Sequence, residues 1–283
     1  MTQDTNPAPV EYGIIGVQSA QWRRGWTWLL PAFALGCGVV ASGRLNGMQI
    51  VPILVAMLIV VGLWPPFWTA VAETDWAAPL SRWRAWDKGE SLKPLPYAVP
   101  GSDADQLVIV LGKFRAWANE DMLPDYGAAL TVALSAPTAA LILSAVLGAP
   151  ALELTIVALC LAQIRVLAAR GNGAPNPLLR GVIHIALPLL LGVSLLRVIP
   201  VELIVVAVGF AVAHAGMVAG RAWTSNIGLA IVLAALVVTR HSVGVFGVGL
   251  LWLPQFLGQA QPTQGRGRWW LYASMFVAAL TLG

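Results

Sequence analysis

Charge is scarce in this sequence: Asp, Glu, Lys and Arg make up only 11% of its 283 residues, against 58% for apolar types. Mean hydropathy is +0.75. So few polar side chains cannot cover a water-facing shell, which excludes a soluble globular enzyme and requires lipid around the chain. The excess of basic over acidic residues is a formal +4. No basic block interleaves with aromatics, which excludes a nucleic-acid partner. Cysteine is nearly missing. Cys37 and Cys160 both lie in apolar runs, far from any Cys-x-x-Cys or Cys/His spacing, so no disulfide framework or zinc site is expected and both read as small apolar packers. Acid is nearly absent from the longest tract of all: beyond Tyr126 there is no Asp, and the only Glu residues are Glu153 and Glu202. The first residues are polar, with Asp4, Glu11 and two prolines ahead of Arg23 and Arg24. That order lacks the basic-then-apolar opening of a cleaved leader, so the first long apolar stretch is expected to remain as a membrane anchor.

What is present is a series of apolar runs broken at Arg, Gly and Pro. A helical span needs about 20 apolar residues, and the breaks predict about nine of them, at 26–44, 48–72, 128–148, 150–169, 179–197, 200–219, 226–240, 242–258 and 269–283. The domain organisation expected is a short cytoplasmic segment, 1–22, followed by one transmembrane domain, 23–283. Basic residues gather in short cytoplasmic loops. Placing the N-terminus inside leaves only Arg44, Arg197 and Arg240 on the far side. This orientation puts the C-terminus on the opposite face of a cell inner (cytoplasmic) membrane.

The one sizeable piece outside the spans is 73–127, on the cytoplasmic side, holding nine of the 13 acidic residues together with Trp76, Trp83, Trp86, Trp117, Tyr97 and Tyr126. Leu107, Val110, Leu111, Phe114, Trp117 and Ala118 recur at helical spacing, which predicts a membrane-surface helix over 104–122 capping the spans.

The first span, Gly25 to Gly43, carries Thr27-Trp28, Pro31, Cys37-Gly38 and Ser42-Gly43. In this it resembles the opening helix of chlorophyll and bacteriochlorophyll synthases, members of the UbiA superfamily of membrane prenyltransferases. Asp75-Trp76 stands where that family has Asn-Asp-Trp, and Lys93-Pro94-Leu95-Pro96 about where it has Arg-Pro-Ile-Pro. Asn172-Gly173 through Pro177, Leu187-Pro188, Gly192, Ala213-His214-Ala215-Gly216-Met217 and Leu271-Tyr272 follow in order. The resemblance covers nearly the whole chain and implies an all-α, nine-helix UbiA-type bundle with a central cavity. The implied activity is transfer of a geranylgeranyl or phytyl group to the propionate of a bacteriochlorophyllide.

That chemistry needs Mg²⁺ held between two carboxylate-rich loops, to draw off the diphosphate. The family's first loop reads Asn-Asp-x-x-Asp-x-x-x-Asp, and the matching positions here are Thr74, Asp75, Ala78 and Arg82. At the second loop the counterparts are Gly220, Arg221, Asn226 and Gly228, with no carboxylate. The Tyr-Ser segment near the end of the fourth span is replaced by Leu161-Ala162-Gln163-Ile164-Arg165. The resemblance therefore implies a framework without its Mg²⁺ pair, with Asp75 as a remnant of the first acidic motif. A metal-independent transferase could still hold an anion through Arg82, Arg165, Arg170 and Arg221; positive-inside anchoring explains the same arginines.

His184 and His214 lie inside apolar spans, where an ionisable side chain is costly and often functional. A neutral imidazole there can ligate the magnesium of a bacteriochlorophyll, or simply hydrogen-bond a neighbouring helix. Trp22, Trp26, Trp28, Trp64, Trp68, Trp269 and Trp270 fall at expected span ends and read as interfacial belts. Pro65-Pro66 is expected to break the second span. Three functions follow. The first is a catalytically degenerate synthase relative that binds bacteriochlorophyll, a carotenoid or an isoprenoid lipid beside photosynthetic reaction-centre or light-harvesting subunits, with Trp83, Trp86 and Trp117 as anchors. The alternatives are an active prenyltransferase, and a transporter or lipid carrier, against which stands the lack of intramembrane acids.

Overall fold

The structure, a computed structural model, describes residues 29–44, 49–84, 86–87, 101–169, 176–257 and 266–283. Among the described residues every regular element is helical. We label them α1 (Leu29–Ala41), α2 (50–73), α3 (Ala77–Arg84), α4 (Asp103–Leu147), α5 (Ala149–Ala169), α6 (Pro177–Ser194), α7 (Val201–Val218), α8 (Ala222–Val238), α9 (Ser242–Leu257) and α10 (Arg266–Leu282). A helix falls on each of the nine segments expected to span. Those in α2, α4, α6 and α7 are long and apolar enough to cross a membrane by length and composition. Large apolar side chains such as Val146, Val238 and Phe246 point outward, a surface that lipid tolerates and water does not. This is a helical protein of membrane type.

Reversals fit the turn chemistry. One residue, Gly148 at φ +111, separates α4 from α5, a conformation open to glycine because it carries no Cβ. Between α7 and α8 the turn uses Gly220 at φ +66. Arg240 takes the same left-handed region after α8.

Two apolar cores share α1 and α6 as a common wall. In α6, Ile183, Leu187 and Leu191, four residues apart and hence on one face, join Leu35 of α1 with buried residues of α2, α4 and α5. The other faces, with Leu30, Ala34, Cys37 and Ala41 of α1 and Ile185, Ala186, Leu189 and Val193 of α6, pack against α7, α8, α9 and α10. The wall is close because Gly38 sits against the Leu189 carbonyl and Gly192 against that of Leu35. Small residues of this kind let backbones meet where no hydrophobic force joins helices in lipid.

The prolines do not break α2. The helix widens into a π turn at Leu58–Leu63 just before Pro65 and Pro66, and it continues to Glu73. The cause is local: a proline offers no N–H to the carbonyl four residues back, and its ring crowds that carbonyl. The same pairing recurs at Ala118–Met122 before Pro124 and at Val182–Ala186 before Pro188.

Residues 104–122 are helical as expected, but they form no separate surface helix. They continue without a break into the third expected span, giving α4 its 45 residues. At 1.5 Å per residue this is roughly 65 Å, about twice the hydrocarbon thickness. Two further expectations are corrected. Trp64 and Trp68 are 2% and 3% exposed and belong to the core rather than an interfacial belt. Cys37 is buried, whereas Cys160 is exposed on α5 and packs nothing inside.

Candidate functional site

α6 and α7 are antiparallel neighbours in contact near Gly181 and Ala211, where the glycine leaves room for the Ala211 carbonyl. His184 lies about 10 Å along α6 from its start, and His214 about 6 Å from the end of α7, counting 1.5 Å per residue. Both are therefore near the same end of the bundle. Side chains on a helix lean toward its N-terminus, so on antiparallel helices the two rings lean toward each other. They lie within electrostatic reach of one another, and Arg180 is within reach of His184. His214 is buried; His184 and Arg180 are part-buried.

His184 occupies the π turn Val182–Ala186, four residues before Pro188. Its carbonyl is the one that Pro188 cannot bond, so this turn is widened at the histidine itself. The Nδ1 of His184 is buried with no hydrogen-bond partner. Arg180, one turn earlier on the same face, was missed as a site residue. Its four-residue spacing from His184 was the available signal.

A second group forms where α3 meets α4. Asp75 is exposed, and its Oδ1 accepts the N–H of Ala77 at 3.0 Å and of Ala78 at 3.4 Å, the unsatisfied donors that open α3. Trp76 donates its indole N–H to the Ala70 carbonyl at 3.0 Å and packs on Tyr126, ring centres 6.0 Å apart. Arg82 pairs with Asp121 at 3.2 Å and Asp125 at 3.8 Å, its guanidinium 5.8 Å from the centre of the Tyr126 ring. Trp83 packs on Phe114 and Trp117, at 5.9 and 5.4 Å between ring centres, and Trp117 is 4% exposed. Trp76 and Arg82 thus both meet Tyr126, while Asp75 caps the opening of α3.

Of the three remaining expected arginines, one has a described side chain. Arg221 is exposed at the N-cap of α8. Arg165 is on α5 with its side chain outside the described residues, and Arg170 lies wholly outside them. Asn226 accepts the indole N–H of Trp252 at 3.0 Å and ties α8 to α9. Among the described residues no three of His, Cys, Asp and Glu gather as a metal-ligand set. No family model matches this chain, and neither a curated protein nor a solved structure matches it.

Proposed function

We propose that the chain is a nine-span membrane protein built on a chlorophyll-synthase-like framework, catalytically degenerate, which holds a pigment through His184 and His214. Its setting is the inner membrane beside reaction-centre or light-harvesting subunits, with the N-terminus cytoplasmic. The observation that carries this reading is the convergence of two intramembrane histidines from α6 and α7 at a π turn, with Nδ1 of His184 buried and unpartnered. A magnesium tetrapyrrole would be held there by a nitrogen base, and an uncharged imidazole of His184 or His214 is the side chain that would supply it inside a membrane.

The transferase alternative loses support at Arg82, whose charge is already answered by Asp121 and Asp125, and at Asn226, which is engaged with Trp252. For contact with other subunits, Trp117 is withdrawn into the protein. The exposed row Leu107, Val110, Leu111 and Phe114 on the extension of α4 takes its place. These side chains follow the spacing of one helix face.

The test is an absorption spectrum of the full chain purified in mild detergent from a bacteriochlorophyll-producing membrane. Co-purified tetrapyrrole is expected, with its long-wavelength band shifted or lost in His184→Leu or His214→Leu. A pigment-free monomer, or Mg²⁺-dependent turnover of geranylgeranyl diphosphate with bacteriochlorophyllide, would refute the proposal.

A further inference from the structure

Between α2, α5 and α6 lies a cavity lined by Trp64, Phe67, Trp68, Ala158, Leu159, Ala162 and Ile183. The centre of a water-sized group has about 10 Å³ in which to move there, and the surrounding empty space, about 180 Å³, is partly open to the surface. The lining is aromatic on the α2 side. On the α5 side, Ala158 and Ala162 stand four residues apart and leave a shallow channel between helices.

One side chain of this lining carries an unsatisfied polar group. Trp64 is 2% exposed, and its indole Nε1 is buried with no hydrogen-bond partner. Thr155, on the same stripe of α5 as Ala158 and Ala162, is fully buried and likewise has a hydroxyl without a partner. Buried polar groups are nearly always satisfied, so an orphaned donor beside a cavity asks what completes it. A water needs two to four polar partners to be held. The seven lining side chains include no acceptor, so water is poorly retained.

We propose that this cavity is a binding site for an apolar membrane molecule bearing a carbonyl oxygen. The oxygen enters the cavity and accepts the Trp64 N–H. The apolar body runs outward along Ala158 and Ala162 between the aromatic rings of α2. Two sources carry this chemistry, the acyl ester of a bilayer lipid and the ring of a membrane quinone. The site is separate from the two histidines and does not depend on the pigment reading.

The experiment uses the full chain in nanodiscs of ether-linked lipid, titrated calorimetrically with decylubiquinone in one arm and a short-chain diacylglycerol ester in the other. Decylbenzene and the ether analogue of the diacylglycerol are the carbonyl-free controls. Saturable binding of one carbonyl probe, absent for its control, identifies the source. Trp64→Phe keeps the aromatic body, removes the N–H and is expected to weaken that probe about 3- to 10-fold, the range of a single net hydrogen bond. It should leave the melting temperature of the ligand-free protein unchanged or raised, because it removes an unsatisfied donor. Ala162→Val, which fills the channel, should abolish binding. No binding of either carbonyl probe, or equal affinity in wild type and Trp64→Phe, would overturn the proposal.

Discussion

Replacing Gly38 by alanine adds one methyl group at the wall shared by both cores. That methyl would sit on the Leu189 carbonyl oxygen and 3.1 Å from the Cα of Gly192. Carbon contacts are comfortable only at about 3.5–4.0 Å, and the obstacle is backbone, which cannot rotate aside. α1 and α6 must therefore separate by something on the order of 1 Å. A gap of that size forfeits a quarter to a half of the dispersion attraction at each contact across it. The contacts at risk include Leu35, Leu191 and Val193, none of which has measurable exposure. Overpacking of this kind costs about 1–3 kcal/mol. Because the wall serves both cores, the upper end applies, about 3 kcal/mol. With roughly 2–4 °C per kcal/mol for a chain this large, the melting temperature should fall by about 6–12 °C. The assay is a thermal scan of tryptophan fluorescence in nanodiscs, with size-exclusion chromatography to confirm the folded fraction. The control lies two residues away. Gly36 has open space where a Cβ would go, so Gly36→Ala should melt with wild type or slightly above it, given the better helix propensity of alanine. Equal melting of Gly38→Ala and wild type, or an equal fall in both variants, would refute the reasoning.

Two other perturbations separate local from global effects. Arg82→Gln removes a half-exposed ion pair worth about 0–1 kcal/mol after solvent screening, so hydrogen exchange in α3 should quicken several-fold while global melting stays within about 4 °C; a global collapse would contradict a peripheral clasp. A double-mutant cycle on Asn226→Leu and Trp252→Phe should give a coupling near 0.6 kcal/mol and no more than about 1.7 kcal/mol, the range of hydrogen bonds between membrane helices. Zero coupling would remove the α8–α9 tie.

The residues missed by sequence reasoning share a cause. Trp64 and Trp68 stand near the end of an expected span, where an interfacial belt is expected, yet both turn inward toward Ala158 and Ala162. Cys160 sits in an apolar run like that of Cys37, and the two face opposite ways. Pro65 and Pro66 read as a break, whereas a π turn absorbs them. In each case the local chemistry was visible and its direction was not.

The sequence by itself determined that the chain is helical and of membrane type, which segments are apolar enough to form its long helices, and where the turns fall. Inside a bilayer every backbone N–H and C=O must be bonded within the chain, and a continuous apolar run satisfies this only as a helix; Gly148 and Gly220 then mark ends that need left-handed or open backbone. Only the tertiary structure decided which face of each helix is interior, that α1 and α6 divide two cores, and that His184 and His214 lean toward each other. It also decided that the helix from Asp103 runs unbroken to Leu147. The physical reason is that lipid rewards apolar side chains on every side of a helix. A helix that is apolar all round carries no stripe in its sequence to distinguish the face that meets lipid from the face that meets protein.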